Sequence, residues 1–286
     1  MTAKIQWLER FNLNWKVEKR PLYTTDATGQ NAVKLTQQAL VRTDSNKVLN
    51  VVTPRYEPIQ NDSFADLLMD GEARGLLKNL SGGGFSGGGK VWVQAEFGSG
   101  GAVGKSDEVK SRLLVATSHD GSFSFRSTLS PVRVICMNTL MAAISHETRV
   151  SFKHTASAGQ RLNDLQIALN KLDFDFKKTM DLYNHFASVQ MTTAALEAYF
   201  KEILKVDAGA ELTEQQGDRM STLIRLFESG IGQELNRGTL WSAFNAVTEY
   251  TSHKLGTAEK REESVLFGKG QELNTVALKA AIKLVA

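Results

Sequence analysis

Proline is confined to the first half of the chain. All four prolines of the 286-residue sequence lie at or before Pro131, and none occurs in residues 132–286. Because proline breaks a helix interior, a long stretch without it favours helices. The first half instead carries short β-prone runs separated by turn residues. We therefore predict an α+β fold: an antiparallel β-meander core with flanking helices over residues 1–154, followed by an all-helical C-terminal region over residues 155–286.

The composition excludes several classes of protein. Hydrophobic residues make up 42% of the chain and charged residues 23%, which is typical of a soluble globular protein. Every apolar stretch is shorter than the eighteen or so residues that a membrane span needs, and the N-terminus lacks the apolar core of a secretory signal. The single cysteine, Cys136, excludes a disulfide framework and a cysteine-based zinc site. We expect a cytoplasmic protein that binds no membrane and no cofactor.

The charge balance is only weakly basic. The net charge is +3, and residues 1–150 carry 18 basic and 14 acidic side chains. Proteins that depend on phosphate contacts often show a larger excess or a concentrated stripe of basic residues. Charge alone therefore does not predict a nucleic-acid ligand.

The pattern of apolar and turn residues predicts an order of elements along the chain. In the first half we predict a strand at 15–20, a hairpin of 39–41 with 48–52, a helix over 64–80, a strand at 90–97, a hairpin of 112–118 with 123–129, and a helix over 131–144. A further short strand is predicted at 149–154. The helices predicted after it cover 156–204, 212–228, 239–254 and 274–285.

The glycine tract at residues 82–89 raises the question of a nucleotide-binding loop. A phosphate-binding loop needs a helix directly after its glycines, so that backbone N–H groups surround the phosphate. Here Lys90 is followed by Val91 and a strand. We therefore interpret the tract as a flexible connector before that strand.

Two candidate catalytic features have ordinary structural explanations. His119 and Asp120 stand at a predicted hairpin turn, where Asp-Gly is favoured by backbone geometry alone. Cys136 lies in an apolar run and is expected to be buried as a small hydrophobic side chain. A hydrolase that uses His119 and Asp120 remains an alternative at this point.

Arginines on the central strands give a more specific indication. Arg112, Arg126 and Arg133 lie in or beside predicted strands and helices rather than in loops. By alternation, Phe123 and Phe125 are expected on one face of their strand, with Arg126 on the other. A face of arginine, serine and threonine is suited to following a phosphate backbone. An ordinary solvated face is the alternative.

Five sequence blocks resemble one family of proteins. They are WKVEKRPLY (15–23), VVTPRYEPIQN (51–61), GGGKVWVQA (87–95), SHDGSFSFR (118–126) and LSPVRVICMNTL (129–140). In order and spacing they resemble a family of phage- and plasmid-encoded proteins that share a domain of unknown function. The segment RVSFKHT (149–155) resembles the family's next block, with Lys153 where arginine is usual. The resemblance covers about residues 10–165.

A weaker resemblance concerns the fold. The predicted helix, three-stranded meander and helix are similar to the core of single-strand annealing proteins of the Red-beta, RecT, ERF and Rad types. That likeness implies a non-enzymatic homo-oligomer, as a ring or filament, that binds single-stranded DNA and anneals complementary strands. We predict the phosphate contacts at Arg112, Arg126, Arg133, Lys90, Lys110 and Lys153. The alternatives are a protein-interaction or counter-defence protein of a mobile element, and the hydrolase above.

Overall fold

The computed structural model describes residues 2–63, 65–136, 138–139, 158–207 and 209–286. Its fold is α+β, with antiparallel sheets and with helices dominating the C-terminal region, so the predicted fold class is confirmed. The strands are β1 (Val17–Thr25), β2 (Ala32–Arg42), β3 (Val48–Val52), β4 (Lys78–Phe85), β5 (Lys90–Glu96), β6 (Gly101–Val103), β7 (Asp107–Lys110), β8 (Arg112–Ser118), β9 (Arg126–Leu129), β10 (Val132–Arg133) and β11 (Asn138–Thr139). The helices are α1 (Ala3–Glu9), α2 (Ala65–Ala73), α3 (Ala158–Ser188), α4 (Thr193–Ile203), α5 (Glu214–Ser229), α6 (Leu240–Glu249), α7 (Ala258–Phe267) and α8 (Lys269–Lys283).

The strands form three sheets, and the described residues divide into two compact units that the chain enters more than once. The sheet orders are β1-β2-β3, β4-β5-β8-β9 and β11-β10-β7-β6. The first unit takes residues 2–97 and 113–128 and the start of α3, and the second takes 98–112, 129–139 and 171–286. The boundary predicted at residues 154 and 155 lies outside the described residues and stays a prediction.

The first sheet confirms the hairpin predicted from the polar turn at residues 43–46. β2 pairs antiparallel with β3, and Val41 lies opposite Val48. β2 begins at Ala32, however, and its first half pairs only with β1. The inner ends of these strands are buried, with Leu40 at 0% exposure and Val17 at 4%. Apolar burial therefore holds one end of this sheet to the first unit.

The first half of the glycine tract, residues 82–85, is the end of β4, so the prediction of a flexible connector was wrong for that half, and residues 86–89 form the turn to β5. β4 pairs antiparallel with β5, with Gly82 opposite Val93 and Gly84 opposite Val91. A Cβ atom on Gly82 would lie 2.8 Å from the carbonyl oxygen of Trp92 and 2.9 Å from Val93 Cγ2. Glycine is needed here because neighbouring atoms leave no room for a side chain. The predicted helix over 64–80 was also too long, because α2 ends at Ala73 and the chain enters β4 at Lys78.

The helix predicted over 131–144 was wrong in its described part. Val132 lies between Lys110 on β7 and Thr139 on β11, and a turn occupies residues 134–136. Sheet pairing satisfies the backbone groups that a helix would have satisfied internally, which is a tertiary effect that local propensity does not contain. The strand predicted at 149–154 falls outside the described residues.

The C-terminal helices follow the prediction with two differences. Thr192, Thr213 and Thr239 cap α4, α5 and α6 through their side-chain oxygens, as threonine does at helix N-termini. The long helix predicted over 156–204 is divided into α3 and α4 at the Thr192 cap. The charged helix α7 was missed because its sequence has little apolar periodicity. In the described part of the chain, every helix is too short or too polar to cross a lipid bilayer.

Candidate nucleic-acid interface

Two turns of the first unit meet through their backbones. One is the Ser86–Gly89 turn between β4 and β5, and the other is the loop of residues 119–125 after β8; together we call them the turn pair. The carbonyl oxygen of Gly89 accepts hydrogen bonds from the amide groups of His119 and Asp120, at 2.7 and 3.1 Å. An ion pair also links the two turns: Lys90 Nζ, directly after the first turn, lies 3.5 Å from Asp120 Oδ2 in the second. The turn pair is therefore a single local structure.

His119 anchors the turn pair to the interior of the first unit and is fully buried. Its Nε2 lies 3.0 Å from Asn61 Oδ1, while Asn61 Nδ2 donates to the carbonyl oxygens of Leu13 and Trp15. Since the amide nitrogen of Asn61 is used twice as a donor, Asn61 Oδ1 must accept, and His119 Nε2 carries the proton. His119 Nδ1 has no hydrogen-bond partner among the described residues. Burial lowers the pKa of His119 to about 4, although Asp120 opposes the shift.

Asp120 does not orient His119. Asp120 Oδ1 accepts from the amide of Ser122 at 2.9 Å. Burial alone would raise the pKa of Asp120, but the hydrogen bonds from Ser122 and the charge of Lys90 lower it below its ordinary value. Ser118 Oγ donates to the carbonyl oxygen of Phe123 at 2.5 Å and accepts from the amide of Phe123 at 3.0 Å. Asp120 and Ser118 hold the loop closed while His119 bonds to Asn61, so the three side chains do not form a serine–histidine–aspartate relay.

Cations surround the exposed side of the turn pair. Arg42 Nη1 donates to the carbonyl oxygen of Gly87 at 3.1 Å, and Lys47 Nζ donates to that of Ser86 at 3.0 Å. Lys90 begins β5 directly after the turn. The guanidinium of Arg126 lies 4.1 Å from the ring centre of Phe123. Arg42 also pairs with Asp44 at 2.7 Å, whereas Lys47 is exposed and has no acidic partner in the described part of the chain.

Arg42 and Trp15 explain why the turn contains glycine. The Arg42 guanidinium stacks on the Trp15 ring, with Cζ 4.2 Å from the ring centre. Gly88 lies against both side chains with φ of +102°. A Cβ atom there would approach Trp15 Cη2 to 2.8 Å. The turn therefore lies flat on the stacked pair, and this fixes the carbonyl groups that receive Arg42 and Lys47.

Arg133 is not a surface residue, so its predicted phosphate contact is corrected. It is 1% exposed, and its Nε and Nη2 donate to the two carboxylate oxygens of Asp107 at 2.7 and 2.8 Å. The remaining donors reach the carbonyl oxygens of Ile231 and Gly232 at 3.0 and 2.7 Å. Trp241 Nε1 donates to Asp107 as well, at 2.7 Å. A guanidinium used in this way holds the second unit together and cannot reach a phosphate outside it.

The other predicted phosphate residues are distributed over both units. Lys90 and Arg126 belong to the first unit and directly follow the two turns of the turn pair, whereas Lys110 and Arg112 belong to the second unit. Lys110 is exposed and Arg112 is half-buried. Lys153 lies outside the described residues.

The predicted polar sheet face is corrected too. Leu113 to Ser118 on β8 are all buried, as are the interior residues of β5, so the central strands present no open face. Phe123 and Phe125 precede β9 rather than lying on it, and Arg126 stacks on Phe123 instead of opposing it. The described strands β5 and β8 therefore do not form the predicted face of arginine, serine and threonine.

Sequence reasoning missed Arg42 and Lys47 as candidate site residues. They flank the hairpin turn of residues 43–46, and only the fold brings them to Gly87 and Ser86, 45 and 39 positions later. The quoted sequence blocks do contain the anchoring contacts: Asn61 of one block bonds His119 of another, and Tyr56 Oη donates to the carbonyl oxygen of Ser118 at 3.4 Å. Among the described residues no group of three or more histidine, cysteine, aspartate or glutamate side chains is placed to hold a metal ion.

Comparison with known proteins gives one match. The family model described as "Domain of unknown function (DUF932)" matches residues 48–269, more than three quarters of the chain. The chain belongs to this family. The matched region includes the turn pair and the buried Asp107–Arg133 cluster. Comparison with curated proteins and with solved structures gave no match in either case.

Proposed function

We propose that the protein binds single-stranded DNA at the turn pair and promotes annealing of complementary strands as a homo-oligomer of a mobile element. The observation that carries this proposal is the convergence of Arg42, Lys47, Lys90 and Arg126 around the turn pair, where Lys47, Ser86 and Gly87 are exposed. Lysine and arginine at such a corner neutralise phosphates.

The chemistry of the corner favours a single strand over a paired duplex. Arg126 lies over the half-buried ring of Phe123, and guanidinium planes and aromatic rings both accept stacked bases. Unpaired bases offer such stacking faces, whereas those of a duplex are already stacked. The resemblance to mobile-element proteins and to single-strand annealing proteins supports the annealing step. Lys110 and Arg112 on the second unit stay predicted phosphate contacts.

The direct test compares charge reversals at the corner with one elsewhere. Lys47→Glu combined with Arg126→Glu should weaken binding of a labelled 40-nucleotide strand at least tenfold, because two attractive contacts become repulsive. Lys201→Glu on the exposed side of α4 is the matched control and should bind as the wild-type protein does. Fluorescence anisotropy measures binding, and quenching between complementary labelled strands measures annealing. Equal affinity in the double variant would reject the site, and no binding by the wild type would reject the function.

A further inference from the structure

The β1–β2 hairpin continues beyond the first sheet as a ribbon that is exposed on both faces. We call residues 21–38 the arm. Residues 23–25 of β1 and 32–37 of β2 are all exposed, without the alternation of a strand that packs on a core. The two strands remain paired along this part, with Tyr23 opposite Lys34 and Thr24 opposite Val33. An isolated two-stranded ribbon is marginally stable in water, so this arm is expected to gain a further partner.

The composition of the arm indicates which kind of partner. Tyr23, Val33 and Leu35 are large hydrophobic residues exposed at 59%, 44% and 37%. The charged residues of the arm are one lysine, Lys34, and one aspartate, Asp26. The Asp26 carboxylate accepts hydrogen bonds from Thr28, Gln30 and Asn31 in the loop between β1 and β2. A neutral, apolar, β-prone surface does not attract a polyanion, and it does not select a strongly charged protein.

The arm also has an open backbone edge. β3 pairs with β2 only from Gln38 to Val41, so residues 32–37 have no strand on that side in the described part of the chain. β3 itself is a poorer edge, because the amide of Val51 is already satisfied by Asn50 Oδ1 at 2.8 Å. Unpaired edges of apolar strands are the surfaces to which another strand adds.

We propose that this edge pairs with the same edge of a second copy of the chain, antiparallel and about a two-fold axis near Leu35. Two arms would then form one four-stranded sheet, in which Leu35 neighbours the partner's Leu35. Lys34 would face the partner's Thr36, so the two lysines do not oppose each other. In a two-fold interface the same patch of each subunit faces its copy, so one edge of the arm is enough to form the dimer.

Residues 32–37 of each copy would supply the paired edge, and Val33 and Leu35 would bring their exposed side chains to it. Pairing of the arms rests on the self-assembly in the proposed function and gives it a location. It does not depend on DNA binding at the turn pair.

The first test measures mass in solution. Sedimentation velocity at micromolar concentration should show that the wild type is oligomeric. Val33→Lys combined with Leu35→Lys should shift it to a smaller species with an unchanged circular dichroism spectrum. Leu284→Lys is the matched control, since Leu284 is also exposed, at 49%, but lies at the C-terminus. A monomeric wild type, or a double lysine variant of the same mass as the wild type, would overturn the proposal.

A second test does not depend on disrupting the arm. Leu35→Cys should form a disulfide-linked dimer under mild oxidation, because the two-fold axis brings the two side chains together; the native Cys136 is buried. Leu284→Cys should not crosslink under the same conditions. Failure of Leu35→Cys to crosslink would reject self-pairing. Ultraviolet crosslinking of Tyr23 to an oligonucleotide, showing that DNA binds the arm instead of a second copy, would reject it too. Oligonucleotide binding measured on the same samples separates this failure from failure of the turn pair, whose residues these variants do not change.

Discussion

The Asp107–Arg133 cluster and the turn pair both gather charged side chains around glycine-containing turns, yet they use charge in different ways. In the cluster every donor of Arg133 is buried and directed to a protein acceptor. At the turn pair, Lys47 is exposed and donates to a carbonyl group at the surface. A cationic side chain is a candidate for ligand binding where it stays accessible to solvent. It is part of the core where all of its N–H donors are bonded to protein acceptors.

The largest effect is expected from breaking the buried pair. Arg133→Met leaves the Asp107 carboxylate buried without its cation, and removing one partner of a buried ion pair costs about 3–5 kcal/mol. Thermal or urea unfolding measures this loss. Lys177→Met removes the exposed i,i+4 pair with Asp173 on α3 and should change stability by less than about 0.5 kcal/mol. A stable Arg133→Met protein would show that the cluster is not structural.

The next largest effect is a dependence of stability on pH that arises from His119. Its pKa is about 4 in the folded protein and about 6.5 when unfolded, so the unfolded state binds the extra proton first. The contribution of His119 to stability is complete above pH 6.5 and declines as the pH falls toward 4, by about 3 kcal/mol in total. Urea unfolding at a series of pH values measures the slope.

A variant assigns this slope to His119. His119→Gln retains an N–H donor near the position of Nε2 but does not titrate, so the difference between its curve and that of the wild type should be the His119 contribution. If both proteins lose stability equally between pH 6.5 and 4, the slope comes from other groups.

A smaller effect is expected within the glycine tract. Gly82→Ala places a methyl group against the Trp92 carbonyl and Val93, and such overpacking costs about 1–3 kcal/mol. Gly83 is one residue away on the same strand and has no atom within 4 Å of a Cβ position, so Gly83→Ala should be nearly neutral. Unfolding curves of the two variants make the comparison. Equal stability would mean that the tract requires glycine for flexibility rather than for close packing.

These glycines also show how far the sequence could predict the structure. Local patterns were enough for the α+β class, the β2–β3 hairpin and helices such as α5, because turn residues and apolar periodicity act locally. They failed for β4, where glycines in place of alternating side chains pair with β5, and for residues 131–139, where pairing with β7 decided the conformation. They also could not separate Arg126 from Arg133, because burial by Ile231 and Gly232 comes from residues about a hundred positions away.

The salt dependence of DNA affinity tests most directly whether the cations around the turn pair hold phosphates. Each neutralised phosphate of a single strand contributes about 0.7 to the negative slope of log affinity against log salt. Lys47→Gln combined with Arg126→Gln should therefore reduce the magnitude of the slope by about 1.4 relative to the wild type. The slope of Lys201→Gln should not change. A double variant whose slope equals that of the wild type would contradict the account.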